Sequence, residues 1–271
     1  MFSFARKIMK LNLLFVLLSF SALAQNITNS LNGYYINTNE NDLYSSFYFD
    51  GKGHAIINDS FQAEYFQKDN KLFVFPDKNV FILKVDQNKL KGESSWVKKS
   101  VFKKSTIPAF EEPILFASNI VDAKLLYELY KLNFKEDTDE VNFTLFENEE
   151  AYLEKTTYLC NQGLTAACGA QFGLLYMQAA GGFERFLKET NEQQAIKENT
   201  TLENIARKMI SLGDMRGYSL LGSYFYAIGN EAKAMEIYQQ GVEKGDQSSI
   251  TIILEMELQK MLDEEATTDA E

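Results

Sequence analysis

A small antiparallel β barrel or sandwich followed by an all-α solenoid of helix pairs is the fold class this sequence predicts. Two observations carry it. Between residues 31 and 105, short apolar and aromatic runs recur at about ten-residue spacing, separated by turn residues. From residue 119 onward the strand signals fade and apolar residues recur with helical spacing.

The β half reads in order. Gly33–Ile36 and Leu43–Phe49 come first, and Asp50-Gly51-Lys52-Gly53 then makes a hairpin turn, since glycine reaches positive φ at little cost. His54–Ile57, Phe61–Phe66, Lys71–Phe75, Val80–Val85, Leu90–Ser94 and Trp96–Phe102 follow. On a strand Phe47 and Phe49 share one face and Tyr48 takes the other, whereas Leu72-Phe73-Val74-Phe75 is apolar on both faces.

The helical half shows two periods. Leu202, Ile205, Ala206, Met209 and Ile210 fall at offsets 0, 3, 4, 7 and 8, one face of a helix. Leu221, Tyr224, Phe225 and Ile228 repeat that spacing, as do Ala234, Ile237, Tyr238 and Gly241, and Ile250, Ile253, Leu254, Met261 and Leu262 mark a last helix. The longer period lies in the turns. Gly213-Asp214-x-x-Gly217, followed by Leu221-Gly222, recurs 32 residues later as Gly245-Asp246-x-x-Ser249, followed by Ile253-Leu254. An earlier copy is Gly163-Leu164-x-x-Ala167, followed by Gln171-Phe172. A period in the low thirties signals a solenoid of helix pairs. The small fifth residue lets the two helices of a pair approach closely. The interval from 163 to 213 is longer, which places an insertion near residues 180–200.

The chain divides as follows: residues 1–24 signal peptide, 25–105 β domain, 106–118 linker, 119–263 helical repeats and 264–271 acidic tail. The first segment has Arg6, Lys7 and Lys10, a short apolar core and Ala22-Leu23-Ala24, the three-part pattern of a cleavable secretory signal. Its apolar stretch is shorter than the ~20 residues a spanning helix needs. No cysteine stands at the cleavage point for a lipid anchor, so the expected product is soluble, periplasmic or secreted, with no membrane span.

Composition narrows the function. Hydrophobic content of 45% and aromatic content of 13% suit packed cores. The formal charge of −11 is uneven: residues 25–108 hold 11 Lys against 9 acids, while residues 109–271 carry a net −16. Such an acidic surface repels phosphate backbones, which argues against nucleic-acid partners. The only histidine, His54, lies far from Cys160 and Cys168, so Ser/His and Cys/His catalytic sets are nearly excluded. His54 reads as an ordinary surface or strand residue. Two cysteines make a poor zinc site, which wants four ligands; no catalytic residue, metal or cofactor is expected. In an exported protein an even, close cysteine pair suggests a disulfide, the alternative being a redox-active pair.

Two resemblances go further. The helical repeats resemble Sel-1-like repeats, relatives of the tetratricopeptide class, best in Gly213-Asp-Met-Arg-Gly217-Tyr-Ser-Leu-Leu-Gly222-Ser-Tyr-Phe-Tyr226. The copy at 245 has Leu254 in place of the second glycine, and the copy at 163 has Leu164 for the acid and Phe172 for the glycine. The resemblance implies three repeats over residues ~147–263, with a leading helix at about 119–132, acting in protein–protein binding. It also implies that Cys160 and Cys168 bridge the two helices of one repeat, as in an exported branch of that family. Some exported cysteine-rich members are linked to β-lactam binding or hydrolysis; no Ser-x-x-Lys stands here in a suitable setting. Tyr152 and Tyr238 are candidates for the docking surface, with repeat packing as the alternative. Residues 31–105 resemble the small lipocalin-like domains of exported bacterial proteins, in Leu31-x-Gly33-x-Tyr35, Phe47-Tyr48-Phe49-Asp50-Gly51-Lys52-Gly53, Leu90-x-Gly92 and Phe102-Lys103-Lys104. That resemblance implies a small apolar ligand in the barrel mouth, against a filled core. The expected partner is thus another protein, with a small apolar ligand as the alternative.

Overall fold

A computed structural model of the chain describes residues 26–76, 79–106, 120–143, 148–182 and 196–268. Residues 1–24, read above as a signal peptide, lie outside these residues, as do most of the segments read as linker and insertion.

The N-terminal half is a closed antiparallel barrel of eight strands: β2 (Asn32–Asn37), β3 (Ser46–Asp50), β4 (His54–Ile57), β5 (Phe61–Lys68), β6 (Lys71–Phe75), β7 (Phe81–Asp86), β8 (Lys89–Gly92) and β9 (Val101–Ser105). Each pairs with the next, and β2 pairs with β9, from Tyr34↔Ser105 to Asn37↔Phe102, to close the ring. Closure satisfies the edges that an open sheet would leave free. A short leading strand, β1 (Ile27–Thr28), extends the sheet beyond β4 by pairing Ile27 with Lys68 of β5.

Three strand expectations change. Leu43 is exposed, and its strand begins at Ser46. The strand expected to begin at Trp96 begins at Val101 instead, because residues 95–99 form turns. Val97 N–H bonds to Ser94 O at 3.1 Å and Ser100 N–H to Val97 O at 2.8 Å, which coils the backbone so that Val97 plugs the core and Trp96 faces solvent. The segment lies so close to Gly92 that a Cβ there would collide with the Val97 carbonyl. The two-residue β1 carries too little pattern to be seen in the sequence.

Inside the barrel, Tyr35, Phe47, Phe49, Tyr65, Leu72, Val74, Phe81, Leu83, Leu90 and Phe102 are all within 2% of full burial. The rings of Phe47, Phe49, Phe81, Phe102 and Tyr65 meet mostly edge to face at 4.8–6.3 Å between centroids, the arrangement their quadrupoles favour. The interior is filled with side chains.

The two-faced run in β6 has its explanation outside the barrel. Leu72 and Val74 point inward, whereas Phe73 and Phe75 point outward with Phe66 of β5. Helix α1 (Ala123–Asn133) lies across them, capped by the Asp122 carboxylate. Its Tyr130 ring sits 4.9 Å from Phe73, and Tyr127 lies 5.5 Å from Phe66. The Tyr130 hydroxyl donates to the Thr138 carbonyl and accepts the Thr138 N–H, each at 2.8 Å. That loop folds back as the bridge Phe134↔Val141.

Six further helices follow among the described residues: α2 (Glu149–Asn161), α3 (Thr165–Ala179), α4 (Thr200–Ser211), α5 (Arg216–Ala227), α6 (Glu231–Glu243) and α7 (Gln247–Thr268). Helix α7 runs five residues into the segment read as an acidic tail. The apolar faces of α1 to α6 join the outer barrel residues Phe66, Phe73, Val80 and Ile82 in one continuous core. Barrel and helices are therefore fused through packing as well as through the chain. Among the described residues no helix is long and apolar enough to cross a membrane.

Candidate interaction scaffold and the barrel–helix junction

Three turns of one design join α2 to α3, α4 to α5 and α6 to α7. Gly163, Gly213 and Gly245 each stop a helix at φ 94°, 83° and 82°, a left-handed conformation that glycine adopts without strain. In each turn the glycine N–H bonds to a carbonyl three residues back: Gly163 to Cys160, Gly213 to Ile210 and Gly245 to Val242, all at 3.0 Å. The next N–H reaches five back: Leu164 to Leu159, Asp214 to Met209 and Asp246 to Gly241, at 2.9–3.1 Å. This is the Schellman pattern, which satisfies carbonyls that a helix end would otherwise orphan.

The small residues after each turn sit where helices touch. Ala167 and Ser249 are fully buried. A Cβ on Gly217 would lie 2.7 Å from the Ala206 carbonyl oxygen and 2.8 Å from Ile210 Cγ1, so only glycine lets α5 approach α4. Ser249 faces Gly241 of α6, where a Cβ would lie 2.9 Å from Ser249 Cβ. Gly222 does a different job. It makes room for the Tyr238 ring of the following pair, since a Cβ there would stand 2.5 Å from Tyr238 Cδ1.

The two turn acids are buried and point in different directions. The Asp246 carboxylate accepts the Ser219 N–H at 3.0 Å and the Ser249 hydroxyl at 2.6 Å, linking α7 to the start of α5. Burial raises its pKa, because those hydrogen bonds only partly offset the lost hydration. For Asp214 burial also acts upward, but the Arg216 guanidinium, a bond from Thr165 at the start of α3 and the Arg216 N–H outweigh it and hold the carboxyl below its usual range. Leu164, at the equivalent place, is buried and its side chain makes no capping bond.

Cys160 ends α2 and Cys168 lies in the first turns of α3, with Sγ atoms 2.10 Å apart and Cα atoms 4.7 Å apart. The pair is a disulfide across the Gly163 turn, with both residues buried. Tyr152 and Tyr238 are 5% and 2% exposed. Tyr152 donates to Asn133 Oδ1 at 2.8 Å, and Tyr238 shares a 3.1 Å bond with Ser223. Both belong to repeat packing and offer no ring to a partner.

The junction between barrel and helices has no signature in the sequence. Arg216, at the start of α5, binds the Asp214 carboxylate and also Glu64 on the outer face of β5, 152 residues away in the chain. Both carboxylates are nearly inaccessible. Nearby, Lys68 bonds to Glu136 and Asp137 at 3.0 Å each. His54 is buried on β4 rather than at the surface, its Nδ1 3.1 Å from Asp50 Oδ2. Asp50 also accepts the N–H groups of Lys52 and His54; these bonds and His54 overcome the upward effect of burial and lower its pKa. A small cleft here is lined by His54, Gln62, Ala63, Glu64, Asp214 and Arg216. Its charges are mutually engaged, so the cluster ties the two halves together. Charged residues this far apart in sequence carry no local pattern that would have found them. Among the described residues no three His, Cys, Asp or Glu side chains converge to hold a metal ion.

Comparison with known protein families, with curated proteins and with solved structures returned no match.

Proposed function

We propose that this protein is an exported scaffold for protein–protein interaction, acting in the periplasm or outside the cell through Sel-1-like helical repeats. The observation that carries the reading is the threefold recurrence of one turn at Gly163, Gly213 and Gly245, each joining two helices, with the first and second pairs each stacking on the pair that follows. Repeated helix pairs build an extended surface on which another protein docks. The disulfide supports an oxidising compartment, and residues 1–24 supply the export signal. The alternative, a small apolar ligand held in the barrel, receives less support, because aromatic side chains occupy the barrel interior. The barrel serves instead as a rigid base that fixes the orientation of the first helices.

The test is capture of partners from envelope extract by the full mature chain, residues 25–271, with crosslinking. Truncation to the helices alone is unsuitable, since Phe66 and Phe73 of the barrel belong to the helical core. A discrete protein recovered in stoichiometric amount is the expected result. Recovery of a bound hydrophobe and no protein would sink the scaffold reading.

A further inference from the structure

Helix α7 carries an apolar face that stands exposed among the described residues. Leu254, Leu258, Met261 and Leu262 are 51–60% exposed. Their offsets of 0, 4, 7 and 8 place them on one stripe of α7. The other side of α7, with buried Ser249 and half-buried Ile252, Ile253 and Met256, packs back on α5 and α6.

The repeat register identifies what this stripe is. The residue nine places after each turn glycine is Phe172, Gly222 or Leu254. Phe172 is buried in the core to which α4 contributes Leu202, Ile205 and Met209. Gly222 is covered by Tyr238 of α6. In both cases the first helix of the next pair occupies the site. Leu254 stands at the same place with no next pair among the described residues. A repeat helix whose outer face meets only water is polar there, whereas this face of α7 is apolar.

The charges around the stripe select the occupant. Glu255 and Glu257 are exposed on its two edges, and the sequence continues Asp263-Glu264-Glu265. A second copy of this chain would set the same carboxylates against them, which like-charge repulsion opposes. We propose that α7 is a docking surface for an amphipathic helix of another protein, with an apolar seam and Lys or Arg along its edges. That helix would seat as the first helix of a further pair. The proposal rests on the scaffold reading and names its surface.

Two synthetic 18-residue helices test it, both with leucine at the seam, one with lysine and one with glutamate at the edges. Fluorescence anisotropy is measured with the full mature chain and with its L254E/L258E variant. The substituted side chains are exposed, so thermal unfolding is expected to match wild type and to show that the variant folds. The lysine peptide is expected to bind wild type at least about tenfold tighter than it binds the variant, and tighter than the glutamate peptide binds wild type. Added salt is expected to weaken it. Equal binding to wild type and variant, or of both peptides, overturns the proposal. So does sedimentation showing a wild-type dimer that the variant loses, since a second copy would then be the occupant. If envelope extract yields a partner equally well with wild type and variant, the scaffold reading stands and this surface falls. If wild type yields none, the scaffold reading itself falls.

Discussion

Substituting alanine at Gly222 and at Gly173 is expected to change stability in opposite directions, although both glycines lie inside the second helix of a pair. Alanine in place of glycine in a helix interior contributes about 1 kcal/mol through backbone entropy. At Gly173 a Cβ meets nothing within 4 Å, so that gain stands alone. At Gly222 the Cβ falls within 2.8 Å of three Tyr238 ring atoms. The ring is 2% exposed and cannot swing out without moving α6. Overpacking of this kind costs about 1–3 kcal/mol, and so close a clash sits at the upper end, leaving Gly222→Ala destabilised by about 2 kcal/mol. The two variants then differ by about 3 kcal/mol, or roughly 6–12 °C in Tm for a chain of this size. Thermal unfolding by circular dichroism measures it. In a Tyr238→Ala background, Gly222→Ala is expected to lose its penalty. If Gly222→Ala raises Tm as Gly173→Ala does, or keeps its penalty without the Tyr238 ring, the close approach of α5 and α6 is refuted.

Arg216→Met leaves the nearly inaccessible Glu64 and Asp214 carboxylates without their cation; because Arg216 is itself 40% exposed and partly screened by water, the expected cost in chemical denaturation is about 1–3 kcal/mol, below that of a fully buried pair. The lowered pKa values of Asp50 and Asp214 give a stabilisation present above the ordinary carboxylate pKa and lost as pH falls through their folded values; an acid titration of wild-type Tm shows this, and Arg216→Met is expected to remove the Asp214 part and leave the Asp50 part. Reducing the Cys160–Cys168 bond is expected to lower stability by about 2–3 kcal/mol, read as the Tm difference with and without reductant; no change would mean the bond leaves the unfolded chain unconstrained. Burial pushes the Tyr152 hydroxyl up to about 12 despite its bond to Asn133. Its stabilisation is therefore complete below the unfolded value of about 10 and lost as pH rises through 12. Difference absorbance at 295 nm between wild type and Tyr152→Phe is expected to lack a component titrating near 10.

Local chemistry was legible in the sequence wherever one residue type had one job. Gly163, Gly213 and Gly245 mark the helix ends because the chain there needs positive φ. The alternation of Phe47, Tyr48 and Phe49 marks a strand with one face inward, since side chains on a strand change face at every residue. Ala167, Gly217 and Ser249 stand out because helix contact demands small side chains. Trp96 and Val97 misled, because a β-forming composition was overridden by consecutive tight turns that send one side chain in and the other out.

Tertiary structure alone decided how the halves combine. The run Leu72-Phe73-Val74-Phe75 announces two buried faces, but only the closed barrel says that one is the interior and the other is the seat of α1. Only the fold brings Glu64 to Arg216 and Asp50 to a buried His54, and only it removes Tyr152 and Tyr238 from the surface. The stripe on α7 was a helical period in the sequence, indistinguishable from a core-facing one. Its exposure is set by the placement of α7, where no neighbour among the described residues lies on that side. Periodicity and backbone conformation are set by residues a few places apart and can be read from the sequence. Which apolar face is covered, and which charge meets which, depends on residues far apart along the chain that only folding brings together.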